Sequence, residues 1–222
     1  MILDLHNHTR YSPDSKVDPV VLVRQARSLG LAGIGITDHN AVDGARAAAE
    51  AAKSFSDFVV IPGAEVSTSG GHVLAYGVTE AIPRNLTPAE TIERIVAAGG
   101  VPVAAHPYRF WSGLGEAATL STKFTAYEVA NARTLRVGNE KAVVLAGRTK
   151  VGRTGGSDSH FLRELGRGVT SLDRGATTVD DILQAIASGR TAGVGLHRGP
   201  WDSSVYVTKA VSEWLLRGMR RI

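Results

Sequence analysis

The chain contains seven histidines, and six of them stand beside carboxylates or glycines at the ends of short apolar runs. His6 and His8 are two apart in Asp4-Leu5-His6-Asn7-His8-Thr9. In an extended chain residues two apart share a face, so both imidazoles aim at a common centre. Asp158 and His160, in Gly156-Ser157-Asp158-Ser159-His160, repeat that spacing late in the sequence. Between them fall His39 in Thr37-Asp38-His39-Asn40, Glu65 in Gly63-Ala64-Glu65-Val66, His72 in Gly71-His72-Val73 and His106 in Ala105-His106-Pro107. Asp14 adds a carboxylate on the loop after the first apolar run.

Imidazole nitrogen combined with carboxylate oxygen suits zinc, manganese or iron better than magnesium or calcium. Six histidines and three carboxylates are too many donors for one tetrahedral ion and fit two or three. With no cysteine in the chain, thiolate sites and disulfides are excluded. A lone histidine is more often a packed or surface residue than a ligand. Two same-face pairs joined by His39, Glu65 and His106 are a different matter, and a polynuclear metal centre is expected. His197, beside Arg198, lies outside the pattern and reads as surface.

Short apolar runs alternate with helical stretches, which argues for βα units around a largely parallel sheet. Strands are expected at 2–5, 33–37, from 58 to 61, and at 101–105, 126–129, 151–155, 168–170 and 191–194, with 71–78 an extended segment returning from a turn at Ser69-Gly70-Gly71. Helices are expected at 19–29, 42–53, from 87 to 98, at 133–146 and at 179–187. Asp18 is the expected N-cap of the first helix, while Thr87-Pro88-Ala89-Glu90 has the form of a capping box with proline at its first helical position. In a parallel barrel every strand end that carries a candidate donor opens at one mouth, where such folds place their chemistry. A last helix is expected at about 203–221, with Val205, Ala210, Val211, Trp214 and Leu215 as its apolar stripe. It reads as a docking helix with Arg217, Arg220 and Arg221 near its C-terminus. No linker or repeat divides the 222 residues, so a single domain is expected.

At 43% hydrophobic and 21% charged, the composition is that of an ordinary globular protein. No apolar run reaches the roughly 20 residues that span a bilayer, and the opening Met1-Ile2-Leu3-Asp4 lacks a signal peptide's basic and apolar regions. A cytoplasmic protein without membrane contact is therefore expected. A net charge of +4 and a pI near 9.6 favour anionic partners such as phosphate esters or nucleic acid.

Taken together and in order, these motifs resemble those of the PHP (polymerase and histidinol phosphatase) superfamily, from residue 4 to about residue 195. The resemblance implies a distorted (β/α)7 barrel with a metal cluster at the C-terminal ends of its strands. It implies that His6, His8, Glu65 and Asp158 hold one ion and that Asp14, His39 and His160 hold a second. Glu65 would bridge to a third ion, held by His72 and His106. Histidinol phosphatases resemble the family with histidine where this chain has Asp14; aspartate is more usual in nucleotide-directed members.

Hydrolysis of a phosphate ester by a metal-activated hydroxide follows as the expected reaction. His39, His160 and Asp158 are its expected catalytic residues. Arg109, three residues past His106, is the expected phosphate-binding residue; Arg84, Arg133 and Arg163 are weaker candidates. Tyr108, Phe110 and Trp111 can stack on a base or anchor a loop. A small phosphomonoester or nucleotide is the expected substrate, and the trimming of nucleic-acid ends is the alternative. A metal-stabilised binding module is the non-enzymatic alternative. Against it stands the full donor set, which the archaeal ribonuclease P subunit resembling this fold lacks.

Overall fold

The computed structural model of the chain describes residues 1–173 and 175–195. The expected helix at 203–221 and His197 lie outside the described residues. Elements follow in the order β1 (Ile2–Asp4), α1 (Pro19–Ser28), β2 (Gly33–Ile36), α2 (Asp43–Ala52), β3 (Val59–Ser67), β4 (His72–Tyr76), α3 (Pro88–Ala97) and β5 (Val101–Ala104). Then come α4 (Gly115–Ser121), β6 (Ala126–Asn131), α5 (Arg136–Thr149), β7 (Gly152–Gly156), β8 (Gly168–Leu172), α6 (Val179–Ala187) and β9 (Thr191–Gly195). Sequence pattern did not indicate α4.

Local chemistry explains the helix starts. The Asp18 side chain accepts from the Val20 and Val21 amides and caps α1. Thr87 and Glu90 form the expected reciprocal capping box on α3, and Thr178 with Asp181 forms a second on α6.

One nine-stranded sheet runs in the order β7-β6-β5-β4-β3-β2-β1-β8-β9. The expectation of a largely parallel sheet needs correction. β1–β2, β2–β3, β5–β6 and β6–β7 are parallel, but β4 is antiparallel to both neighbours, and β8 and β9 also run antiparallel. The cause lies between β3 and β4, where a short turn links the strands without a crossover helix. Reversal of β4 has a useful consequence: its first residue, His72, lies at the same end of the sheet as the last residues of β2, β3 and β5.

The sheet curls into a nearly closed α/β barrel, because β7 at one end of the order meets β8 and β9 at the other. Thr191 Oγ1 donates to the Arg153 carbonyl at 2.7 Å, and the Gly155 amide donates to Thr170 Oγ1 at 2.8 Å. Glycine makes this approach close enough. A Cβ on Gly168 would collide with the carbonyl of Gly156, and one on Gly193 with the carbonyl of Thr154.

Ile182, Ala185 and Ile186 of α6 join Leu3, Leu5, Ile61, Leu74 and Val103 in one apolar cluster. Helices α1 and α2 cover β2 through Leu22, Val23, Ala45, Ala48 and Ile34. Each fully buried leucine or isoleucine contributes about 1.5–3 kcal/mol. This apolar frame fixes the strand ends that carry the histidines.

Candidate metal centre

Asn7 sets the first pair against the last. Its Oδ1 accepts from Ser157 Oγ at 3.2 Å and Ser159 Oγ at 2.8 Å, while its Nδ2 donates to the carbonyls of Asp4 and Gly35. The His8 amide donates to the Ser159 carbonyl at 2.9 Å, so residues 7 and 159 form a parallel bridge. With Asn7 and the two serines on one side, His6, His8, Asp158 and His160 face the other. Extended alternation describes only part of this. Asp158 has φ of 54°, and His106 has φ of 28°, conformations that L residues adopt only when their surroundings impose them.

All nine residues expected from the sequence come together. Four groups have donor atoms within 4.8 Å of one another: His8 with Asp14, His39 and His160; His6 with His8 and Asp158; His6 with Glu65 and His106; and His39 with Glu65 and His72. Glu65 lies at the middle, with Oε1 2.8 Å from His72 Nδ1 and 2.9 Å from His106 Nε2, and Oε2 3.2 Å from both His6 Nε2 and His8 Nε2. Asp14 Oδ2 lies 2.8 Å from His160 Nε2 and 3.7 Å from His39 Nε2. The grouping differs from the one the resemblance implies. His8 also joins Asp14, His39 and His160, and Glu65 does not group with His6, His8 and Asp158; His72 and His106 both reach Glu65, but the first groups with His39 and the second with His6.

Charge follows this packing. Burial opposes protonation of His6, yet the charges of Glu128, Asp158 and Glu65 hold its pKa well above the usual imidazole range. His8 is pushed up to about 9 against its burial, by hydrogen bonds to Asp158 and Glu65. Burial prevails at His39 and His106, whose pKa values are lowered, and at His160, which burial and Arg133 bring down to about 4. Despite burial, Glu65 is held well below the carboxylate range by His72, His39 and His6, and Asp158 by Arg109, His6 and Arg133.

The donor chemistry fits divalent cations. Protein hydrogen bonds alone do not satisfy the cluster: Asp14 Oδ1, His39 Nδ1 and His106 Nδ1 are buried without a hydrogen-bond partner. His6 Nε2 and His8 Nε2 lie 3.2 Å apart, each beside carboxylate oxygens. Inward-facing nitrogens and oxygens of this kind are satisfied together by a cation.

Two arginines reach the cluster. Arg109, on the loop after β5, pairs with Asp158 Oδ2. Arg133, on the loop after β6, contacts His160 Nδ1 and lies 3.6 Å from Asp158 Oδ1. Arg84 and Arg163 are exposed, and Arg163 stacks on Phe161 at 4.6 Å. Tyr108 is a loop anchor, donating to Glu116 Oε2 at 2.9 Å and packing on the core. Phe110 and Trp111 pair edge to face at 4.9 Å and are 87% and 57% exposed.

Sequence reasoning missed Glu128, fully buried on β6, whose Oε1 lies 2.9 Å from His6 Nδ1. Its signal was a single carboxylate inside the strand Ala126-Tyr127-Glu128-Val129. It also missed Ser12, whose Oγ accepts from the His39 amide at 2.8 Å and lies 3.0 Å from His8 Nδ1. Asp38 accepts from the Thr9 amide and hydroxyl. The N-cap of α2 is Val42.

Residues 137–191 match a family model described as PHP-associated. An uncharacterized protein of Methanocaldococcus jannaschii is 38% identical over 118 residues, covering 49% of this chain and 68% of the relative. Among solved structures, a two-domain protein of Bacteroides vulgatus containing a predicted PHP-like metal-dependent phosphoesterase superposes with a TM-score of 0.74 at 20% identity. That match covers 88% of this chain, which spans only 65% of the Bacteroides protein. An amidohydrolase from Chromobacterium violaceum, solved with bound sulfate and no metal, gives a TM-score of 0.65 at 18% identity over 85% of this chain and 96% of its own. Among the described residues no helix is long and apolar enough to cross a membrane.

Proposed function

Since the chain belongs to the PHP superfamily, we propose that it is a metal-dependent phosphoesterase acting on a small phosphomonoester or nucleotide. The observation that carries this reading is the convergence of Arg109 and Arg133 on Asp158, at the edge of a buried histidine-carboxylate cluster. A terminal phosphate dianion matches two guanidiniums in charge and in bidentate geometry. An internal diester, with one negative charge, uses them less fully.

In this reading His6, His8, Glu65, Asp158, Asp14, His39, His160, His72 and His106 hold two or three zinc, manganese or iron ions. Such ions, when bound, lower the pKa of a water molecule and neutralise charge on phosphoryl oxygens. The chain's own residues do the rest. Arg109 and Arg133 hold and orient the phosphate, and Asp158 keeps both guanidiniums in place. His39 and His160 carry pKa values below the usual range, so their imidazoles are neutral near pH 7 and are suited to ligate a cation.

Phe110 and Trp111 favour a second substrate class within the same chemistry. An exposed aromatic pair directly after Arg109 suits a base attached to the bound phosphate, which extends the reading to nucleotides and nucleic-acid ends. An amide substrate, by contrast, leaves the two arginines without a dianion to bind.

The test is hydrolysis by metal-stripped protein after return of manganese, zinc or iron, on a chromogenic monoester, a diester and a short oligonucleotide. Monoester turnover restored by a metal and abolished in Asp158→Ala is the expected result. No turnover on any of the three, with metals bound by elemental analysis, would overturn the reading in favour of a binding module.

A further inference from the structure

We propose that Glu128 is the positioning residue of the centre: it fixes the ring of His6, holds the backbone amide of His106 and, through Asn131, reaches Asp158. The inference rests on the reading of these three residues as metal ligands. Glu128 touches none of the reacting atoms.

The register of β6 against β7 shifts between Glu128 and Ala130, a bulge that places Glu128 and Asn131 beside the site. Burying a carboxylate is costly, and this one is compensated entirely by donors. Its Oε1 lies 2.9 Å from His6 Nδ1, and its Oε2 accepts from the His106 amide at 2.9 Å and from Asn131 Nδ2 at 3.1 Å. Asn131 Nδ2 is also 3.2 Å from Asp158 Oδ2. Asn131 is itself anchored, since its amide donates to Asn139 Oδ1 at 3.2 Å and its carbonyl accepts from Asn139 Nδ2 at 2.9 Å. One carboxylate therefore sets a ring, a backbone amide and, through Asn131, a second carboxylate, each just past the end of a different strand.

The chemical consequence concerns which nitrogen of His6 is available. A carboxylate only accepts, so His6 Nδ1 must carry the proton. Its Nε2 then presents its lone pair to the centre shared with Glu65, His8 and Asp158 when an ion is bound. Glutamine at 128 cannot reproduce this. With its carbonyl toward His106 and Asn131, its NH2 faces His6 Nδ1, which must accept and so move the proton to Nε2. With the amide turned the other way, NH2 faces two donors.

The experiment uses zinc-loaded protein with ¹⁵N-labelled histidine. In the wild type, His6 should show a slowly exchanging Nδ1–H and a metal-bound Nε2. In Glu128→Gln that signature should vanish, with zinc affinity lower by about 10- to 100-fold. Asn131→Ala, which leaves the His6 bond in place, should keep the signature. Two results would overturn the proposal: a wild-type His6 whose Nδ1 is unprotonated or metal-bound, or a folded Glu128→Gln protein with wild-type zinc affinity and an unchanged His6 spectrum. The first needs no variant to fold. Zinc uptake by the wild type is measured first; its absence would overturn the metal reading, and this inference with it.

Discussion

His6 Nε2 and His8 Nε2 face each other across 3.2 Å. Two N–H groups cannot point at one another at that distance. At most one proton can lie between these facing nitrogens, and a cation bound to both must displace it. His8, pushed up to about 9, is protonated at neutral pH in the metal-free protein. An ion must displace that proton, so affinity should rise with pH up to about 9 and level off above it. The slope should be roughly tenfold per pH unit for each proton displaced. Calorimetry in buffers of different ionisation enthalpy should show net proton release at pH 7; a buffer-independent heat would contradict the assignment.

Arg109 and Arg133 converge on one carboxylate from two loops. Replacing either with alanine should lower kcat/KM for a phosphomonoester by about 10- to 100-fold, the worth of one charge-assisted hydrogen bond. Inhibition by inorganic phosphate should weaken in parallel. Lysine should restore part of the loss, because it supplies charge without the planar fork. Unchanged phosphate inhibition in both alanine variants would remove the arginines from the substrate site.

Gly156 ends β7 directly against His6. A Cβ there would collide with His6 Cβ and crowd its amide, which lies 2.7 Å away. Gly156→Ala should cost about 1–3 kcal/mol of stability through overpacking. Because the displaced residue is a candidate ligand, metal affinity should fall as well. Gly168→Ala, at the barrel seam, should lower the melting temperature comparably, with less effect on the affinity of the protein that remains folded. Chemical denaturation and chelator competition on both variants separate the two effects.

Burial pushes the Asp4 carboxyl up to about 6, against hydrogen bonds from Ser157, Gly166 and His6. The folded state thus keeps a proton that the unfolded chain loses near 3.8. Stability from this group is present at low pH and is lost as pH rises from about 4 to 6. The shift corresponds to something on the order of 3 kcal/mol. Asp4→Asn should remove this contribution, and should itself cost about 1–3 kcal/mol because its NH2 must face a backbone donor. In chelator, the stability difference between wild type and Asp4→Asn should therefore widen as pH falls from 7 to 4. A constant difference would show that Asp4 does not titrate in that window.

Much of the centre was legible without coordinates, for a local reason. His6 and His8, Asp158 and His160, His39, Glu65 and His106 sit at the ends of apolar runs, and spacing along the chain is enough to mark them. The caps of α1 and α3 were legible on the same ground, since Asp18 and Thr87 act on amides two to three residues away.

What lay beyond the sequence depends on partners far apart in it. Glu128 matters because of His6, 122 positions away. Arg133 could not be told from Arg84 or Arg163 until β6 brought it to His160. The turn at Ser69-Gly70-Gly71 marked a returning segment, but only the pairing of β4 with β3 and β5 set His72, at a strand start, among residues at strand ends. The sequence by itself determined which atoms are available to hold cations. Only the tertiary structure decided which of them face one another, because buried charges fix their protons and orientations through neighbours that chain order does not reveal.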